Sequence, residues 1–244
     1  MSSESRTEIV VVDNAAALAQ TAAERLIIRI TQKERAAVCL TGGSSPQGLY
    51  RLLAEEPWRS QVPWDRVHWF IGDDRFVPES DPLSNMGMVR KLFLDRAPAP
   101  RQNIHPMATD TNYPEGAARL YEDDLKVYYG AEWLDPARPM FDLVLMGLGP
   151  DGHTASLFPN AHALAEKQRW VLAVPKAGME PFVPRVTLTF PALASTHEML
   201  SLVDNADKRA ILSRVLAGED LPAHRAYADG DLVWLVIRDA APEH

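Results

Sequence analysis

Short runs of consecutive apolar residues alternate along this chain with longer segments in which apolar residues recur every three or four positions. The short runs predict buried strands, and the longer segments predict amphipathic helices. The predicted strands are residues 9–12, 37–40, 67–71, 141–146, 170–174, 185–190, 198–203 and 233–237, and the predicted helices are residues 15–32, 47–54, 86–94, 115–129 and 206–216. Because strands and helices mostly alternate, the sequence predicts an α/β fold with a largely parallel, twisted sheet and helices on both faces.

The length of 244 residues suits one large α/β domain. Hydrophobic residues make up 46% of the chain, which is enough to bury a sizeable core. The sequence shows no internal repeat, no low-complexity segment and no linker that would force a division into two domains. We therefore expect residues 1–244 to form a single domain.

The chain is acidic, with 25 basic and 33 acidic residues and a formal net charge of −8. This balance argues against a nucleic-acid or membrane partner, although cations that converge locally can still bind an anionic metabolite. The polar N-terminus lacks an apolar signal core and no apolar run approaches membrane-spanning length, so we expect a cytoplasmic protein. The single cysteine, Cys39, lies in an apolar stretch and is expected to be a buried thiol rather than a reactive one.

Three predicted strands end in polar clusters, at residues 42–45, 73–75 and 151–153. Because the carboxyl ends of parallel strands lie at one edge of a sheet, we expect these clusters to converge on one crevice. The first cluster is Gly-Gly-Ser-Ser ahead of a predicted helix, so its backbone amides can cradle an anion. It lacks the lysine of a Walker A loop, and a plain tight turn with a helix cap is the alternative interpretation.

The third cluster places Asp151 and His153 just after a glycine-rich break, where a histidine beside a carboxylate is a candidate proton-transfer site. A structural histidine is the alternative. Residues 147–152 also match the GxGxxG pattern of dinucleotide-binding proteins. However, Pro159 limits any following helix to about two turns, and the next predicted strand, residues 170–174, ends without a carboxylate to bind a ribose. The sequence therefore disfavours nucleotide binding.

Three cations can supply positive charge to the same crevice. Arg75 follows two carboxylates, and we expect Asp73 or Asp74 to hold its guanidinium toward a bound anion. Arg185 and Lys208 can add further charge, and Lys208 lies near a predicted helix start, where a cation is unfavourable unless an anion is nearby. Taken singly, each residue is better explained as ordinary surface charge, and for Arg75 the alternative is a local ion pair of little consequence.

In combination, the motifs are similar to those of the 6-phosphogluconolactonase family, and they occur in order along nearly the whole chain. They comprise Gly42-Gly43-Ser44-Ser45-Pro46, Asp73-Asp74-Arg75-Phe76-Val77-Pro78, Asp81, Ser84-Asn85, GLGPDGHTASLFP at residues 147–159, Pro184-Arg185-Val186-Thr187-Leu188 and Lys208. One departure is Asp74, where the family usually has glutamate, which puts in doubt how Arg75 is held. The wider superfamily includes glucosamine-6-phosphate deaminases, in which a Phe-Asn-Glu-Pro type ending follows the shared histidine; this chain has Ser156-Leu157-Phe158-Pro159 there.

The resemblance implies a carboxylic ester hydrolase that converts 6-phospho-D-glucono-1,5-lactone to 6-phospho-D-gluconate in the oxidative pentose phosphate pathway. It implies the sugar-phosphate isomerase-like fold, which is Rossmann-like, and a reaction without metal or other cofactor. The expected partner is the small-molecule lactone, and the expected state is a monomer or weak homodimer. Two alternatives stay open: a deaminase-like aldose–ketose isomerase, and a non-catalytic sugar-phosphate-binding protein.

The site hypothesis assigns proton transfer to His153, with Asp151 orienting its imidazole and Arg75 in the catalytic group. The residues expected to bind the substrate and its phosphate are Gly42, Gly43, Ser44, Ser45, Asp73, Asn85, Arg185 and Lys208. A serine nucleophile at Ser44 or Ser156 is conceivable, but neither residue lies in a GxSxG elbow. Direct attack of water on the lactone carbonyl is therefore the favoured mechanism.

Overall fold

A parallel sheet forms the centre of the molecule. The structure is a computed structural model that describes residues 7–242. The strands of the chain are β1 (Thr7–Val12), β2 (Ala36–Leu40), β3 (Val67–Ile71), β4 (Asp73–Arg75), β5 (Leu143–Gly147), β6 (Val171–Val174), β7 (Arg185–Leu188), β8 (Glu198–Val203) and β9 (Asp231–Ile237). Within residues 7–242, six of them form one sheet in the order β1-β9-β8-β5-β2-β3, with every pair parallel. The prediction of an α/β fold built on a parallel sheet is confirmed.

The second sheet was not predicted. In the described part of the chain it has three short strands in the order β4-β7-β6, and both pairs are antiparallel. β4 consists of Asp73, Asp74 and Arg75, which carry no apolar pattern, so nothing in its sequence indicates a strand. The segment predicted as a strand over residues 185–190 ends early, because the helix that begins at Phe190 has proline in its first turn.

The helices cover both faces of the parallel sheet. They are α1 (Ala15–Thr31), α2 (Gln47–Leu53), α3 (Asn85–Leu92), α4 (Pro114–Tyr129), α5 (Phe190–Ala194), α6 (Arg209–Leu216) and α7 (Pro222–Arg225). The long helices begin and end at recognisable signals: Asn14 caps α1 by accepting a hydrogen bond from the Ala17 N–H at 3.0 Å, and Gly130 ends α4 with a φ of 76°. The segment over residues 206–208, predicted as helix, forms a separate 3₁₀ turn ahead of α6.

The main hydrophobic core includes residues from the helices and from the strands of both sheets. All five residues of β2 are buried, including Cys39, so the expectation of a buried thiol is confirmed. Among residues 7–242, no helix has the length and apolar character needed to span a membrane.

Glu122 joins helix α4 to the edge of the second sheet. Its side chain is buried, and Oε2 accepts hydrogen bonds from Arg169 Nε at 2.8 Å and from the backbone N–H groups of Trp170 at 2.9 Å and Val171 at 3.1 Å. Burial raises the pKa of Glu122, but these hydrogen bonds outweigh burial and hold the pKa below its ordinary value. The ionised carboxylate therefore stabilises the fold.

We expect Glu122→Gln to lower the free energy of unfolding by about 1–3 kcal/mol at pH 7, since a charged acceptor of three donors is lost. A carboxylate with a depressed pKa stabilises the fold above its unfolded-state pKa, and this contribution disappears as the pH falls through the folded-state value. The difference between wild type and variant should therefore shrink in acid, as urea unfolding at pH 7 and pH 3.5 would measure. Asp123→Asn, at an exposed position on the same helix, is the control. A difference that grows in acid would contradict this account.

Candidate active site

A cavity of about 280 Å³ opens at the edge of the parallel sheet where β2, β3, β5 and β8 end. All of the predicted site residues except Asp151 line it, and Asp151 lies directly behind His153. The three polar clusters that follow the strands therefore lie together, as the strand-end argument predicts. The lining residues are Thr41, Gly42, Gly43, Ser44, Ser45, Asp73, Arg75, Asn85, Gly147, Leu148, Gly149, Pro150, His153, Thr154, Ala155, Phe158, Met179, Glu180, Arg185 and Lys208.

His153 and Asp151 form a close hydrogen-bonded pair. The distance from His153 Nδ1 to Asp151 Oδ1 is 2.5 Å, and the same oxygen accepts the backbone N–H of His153 at 3.1 Å. Burial raises the pKa of Asp151, but the hydrogen bonds and charge of His153 outweigh it and hold the pKa below its usual value. An ionised carboxylate is only an acceptor, so Nδ1 is the donor in this pair, and in the neutral imidazole the lone pair is on Nε2. Nε2 is thus the atom that can accept a proton.

A tight turn, rather than a helix, follows β5. The Gly149 N–H donates to the His153 carbonyl at 2.8 Å and the Gly152 N–H to the Gly149 carbonyl at 3.0 Å, with Gly152 at a φ of 82°. Ala155 adopts a φ of 47°, which is unusual for a residue with a side chain and typical of strained functional loops. Without a helix behind the glycines, this segment has no dinucleotide-binding geometry.

Gly149 lies against the imidazole of His153. A β-carbon at this position would overlap the ring, including Nδ1. We expect Gly149→Ala to push the imidazole away from Asp151 and to lower kcat by about tenfold or more, because a displacement near 1 Å at a reacting group has effects of this size. The control is Gly116→Ala, because Gly116 lies in α4 outside the cavity lining and a β-carbon there would have its nearest neighbour, Thr111 Oγ1, at 3.8 Å. The measurement is the initial rate with the lactone that the family resemblance implies as substrate. Equal rates for the two variants would contradict this description of the site.

Arg75 and Arg185 are cross-strand neighbours in the second sheet. They are paired residues in the antiparallel register of β4 and β7. Burial lowers the pKa of Arg185, and the positive charge of Arg75 lowers it further. Like charges on directly opposed strand positions are destabilising. An anion bound between the two guanidinium groups would relieve this repulsion.

The expectation that Asp73 or Asp74 holds the Arg75 guanidinium is wrong. In the described structure, the guanidinium donates from one terminal nitrogen to the Leu83 carbonyl at 3.2 Å and to Asn85 Oδ1, and its Nε has no partner. The reason is that Asp74 is directed toward the start of α3, where it accepts backbone N–H groups of Asn85 at 2.6 Å and of the next residue at 3.0 Å. The shortened carboxylate thus affects the helix start rather than the arginine.

Asp73 is engaged by Ser156. The Ser156 hydroxyl donates to Asp73 Oδ2 at 2.6 Å, and Ser156 is 0% exposed. A hydroxyl that is fully buried and donated to a carboxylate is not placed to attack a substrate in the cavity. Ser156 is therefore a support for Asp73, and this removes one of the two conceivable serine nucleophiles.

Several contributors to the cavity were missed from the sequence. Asp204, which directly follows β8, does not line the cavity but accepts a hydrogen bond from the lining residue Ser45, whose Oγ is 2.5 Å away; its place after a strand was the available signal. The segment 175–184 contributes Met179 and Glu180, and Phe158 packs against the His153 ring with centroids 4.8 Å apart. Neither Met179 nor Glu180 lies in a periodic pattern, so nothing in the sequence marked them. Within residues 7–242, no group of three histidine, cysteine, aspartate or glutamate side chains is arranged to hold a metal ion.

Residues 12–234 match the protein family described as glucosamine-6-phosphate isomerases/6-phosphogluconolactonase. The chain belongs to this family. Among its relatives, the 6-phosphogluconolactonase of Synechocystis sp. is 37% identical over 220 residues, which are 88% of each chain. The 6-phosphogluconolactonase of Nostoc sp. is 36% identical over 224 residues, which cover 90% of this chain and 89% of that protein. The crystal structure of the 6-phosphogluconolactonase of Thermotoga maritima matches with a TM-score of 0.82 and 30% identity, covering 96% of this chain and 100% of the other.

The family match and these structural similarities agree with the fold and the motifs described above. The roles of the individual cavity residues stay predictions.

Proposed function

We propose that this protein hydrolyses 6-phospho-D-glucono-1,5-lactone to 6-phospho-D-gluconate, the lactonase step of the oxidative pentose phosphate pathway. The observation that carries the proposal is that His153, held by Asp151, lines one cavity together with Arg75 and Arg185, in a chain whose relatives are 6-phosphogluconolactonases. A proton acceptor beside a cluster of cations is what hydrolysis of a phosphorylated lactone requires.

His153 is the general base in this mechanism. Its Nε2 takes a proton from a water molecule, and the oxygen of that water bonds to the lactone carbonyl carbon. Asp151 keeps the proton on Nδ1 and stabilises the imidazolium that forms. When the tetrahedral intermediate collapses, the bond between the carbonyl carbon and the ring oxygen breaks, and the imidazolium returns its proton to that oxygen. One water is consumed and His153 is regenerated.

The positive end of the cavity binds the phosphate and stabilises the developing oxyanion. The available donors are the backbone of residues 43–45 and the side chains of Arg75, Arg185 and Lys208. Charge-assisted hydrogen bonds of this kind are about twice as strong as neutral ones. A phosphate between Arg75 and Arg185 also removes the repulsion between the two guanidinium groups.

The test is hydrolysis of freshly generated 6-phosphogluconolactone, followed by proton release and corrected for spontaneous opening. A parallel reaction with glucosamine 6-phosphate is assayed for ammonia. We expect a rate well above spontaneous opening with the lactone and no ammonia. Ammonia release without lactone hydrolysis would favour a deaminase, and binding without either reaction would favour a sugar-phosphate-binding protein.

The remaining expectations accompany this proposal. They are a single domain over residues 1–244, a cytoplasmic location, a monomer or weak homodimer, and a reaction that needs no metal or other cofactor. Each of them stays a prediction.

A further inference from the structure

Three polar side chains meet at one end of the cavity. Ser45 Oγ donates a hydrogen bond to Asp204 Oδ1 at 2.5 Å, and Lys208 Nζ donates to Ser45 Oγ at 2.8 Å. Lys208 Nζ also lies 3.6 Å from Asp204 Oδ1. Ser45 is buried, and the other two side chains are each 20% exposed. The three residues form a connected group in which the carboxylate accepts and the ammonium only donates.

The group brings together two distant parts of the chain. Asp204 directly follows β8 and Lys208 ends the 3₁₀ turn after it, whereas Ser45 precedes α2. Ser45 and Lys208 line the cavity, and Asp204 is not among its lining residues. Asp204 therefore acts on the cavity only through the two residues that it contacts.

The direction of the hydrogen bonds gives Asp204 a specific effect. A serine hydroxyl has one proton, and because Asp204 accepts it, the lone pairs of Ser45 Oγ are directed at Lys208. One N–H of the ammonium is thereby fixed, which orients its other two N–H bonds. A lysine side chain is otherwise flexible and loses considerable rotamer entropy when it is immobilised.

The charge of Asp204 has a second effect. Burial lowers the pKa of Lys208, and the nearby Asp204 carboxylate opposes this shift. The carboxylate thus favours the charged form of a lysine that is taken largely out of water. A carboxylate near an anion-binding lysine repels the bound phosphate. Here this repulsion is offset because the carboxylate favours the charged form of Lys208.

We propose that Asp204 is a positioning residue for phosphate binding: through Ser45 it fixes the ammonium group of Lys208 toward the cavity. The identity of the bound phosphate compound rests on the proposed function. Asp204 itself makes no contact with the substrate, so its effect falls on affinity for the phosphorylated ligand and not on the chemical step.

The test compares Asp204→Ala, Asp204→Asn and the control Asp207→Asn. Asp207 is exposed on the same turn, so its replacement removes one negative charge near Lys208 without touching the hydrogen-bonded group. Steady-state kinetics are measured with the phosphorylated and unphosphorylated gluconolactones. Calorimetric titration with 6-phosphogluconate gives a Kd that requires no turnover, and Tm reports on folding.

For Asp204→Ala we expect KM for the phosphorylated lactone and Kd for 6-phosphogluconate to rise about tenfold, with kcat within about twofold of wild type. Kinetics with the unphosphorylated lactone should stay unchanged. Asp204→Asn retains an acceptor for Ser45, so it should restore KM to within about threefold of wild type, and Asp207→Asn should match wild type.

Unchanged KM and Kd in Asp204→Ala would overturn the proposal. Equal losses on both lactones together with a lower Tm would also overturn it, because they indicate a structural role only. If Asp204→Asn is as impaired as Asp204→Ala, the hydrogen-bond mechanism is wrong. A wild-type protein that binds 6-phosphogluconate but does not hydrolyse the lactone would overturn the proposed function alone, since the Kd values still decide the role of Asp204.

Discussion

Replacing His153 with alanine is expected to lower kcat for 6-phosphogluconolactone by about two orders of magnitude or more, which is the usual contribution of a general base. The variant loses the Nε2 lone pair that accepts the proton of water, and Asp151 does not line the cavity, so it cannot replace the imidazole directly. Initial rates with freshly generated lactone, corrected for spontaneous hydrolysis, measure the effect. KM should change much less than kcat, because the imidazole acts in the transition state.

The control for this variant is His162→Ala. His162 is an exposed histidine in the 3₁₀ turn that follows the glycine-rich segment, so its loss removes an imidazole without touching the cavity. Both variants should retain the wild-type circular dichroism spectrum. If His153→Ala hydrolyses the lactone within about tenfold of the wild-type rate, His153 is not the base and the mechanism is wrong.

Replacing Arg185 with methionine is expected to lower kcat/KM for the phosphorylated lactone by about 100-fold, since a charge-assisted contact to the phosphate is lost. Stability should respond differently. The variant loses hydrogen bonds from the guanidinium to the carbonyls of Val183 and Pro181. It also removes the repulsion between Arg185 and Arg75, which opposes that loss. We therefore expect Tm to change little while activity falls steeply.

Lys176→Met is the matched control, because Lys176 is an exposed cation on the segment that leads into β7. Activity with the unphosphorylated lactone separates the roles of Arg185. A loss confined to the phosphorylated lactone assigns Arg185 to the phosphate, and an equal loss on both assigns it to the oxyanion. Activity of Arg185→Met within about threefold of wild type on both lactones would contradict any role in the cavity.

The sequence predicted the central sheet well because its strands, apart from the edge strand β1, are buried along most of their length. β3 and β8 have the predicted bounds, and the buried run that leads into β5 was placed within two residues at its start. The second sheet could not be predicted, since β4 consists of three polar residues whose pairing depends on contacts with β7 far along the chain. Helices α5 and α7 were missed because five and four residues are too few to show a period.

The location of the candidate site was predictable from the strand-end rule, whereas its internal contacts were not. The rule placed residues 42–45, 73–75 and 151–153 together without any knowledge of side-chain geometry. The cross-strand pairing of Arg75 with Arg185 follows from the register of the second sheet, which the sequence does not reveal.

The detail of Asp74 shows the same limit. Its neighbour in sequence is Arg75, but its carboxylate is directed toward the backbone at the start of α3.

The ratio of kcat/KM for 6-phosphogluconolactone to that for unphosphorylated gluconolactone tests the central claim most directly. It asks in one comparison whether the cavity opens a lactone and whether its cations recognise the phosphate. The account predicts catalysis above the spontaneous rate and a ratio of at least about 100, since two or more charge-assisted hydrogen bonds act only on the phosphorylated substrate. A ratio near one, or a rate no faster than spontaneous opening with either lactone, would contradict it.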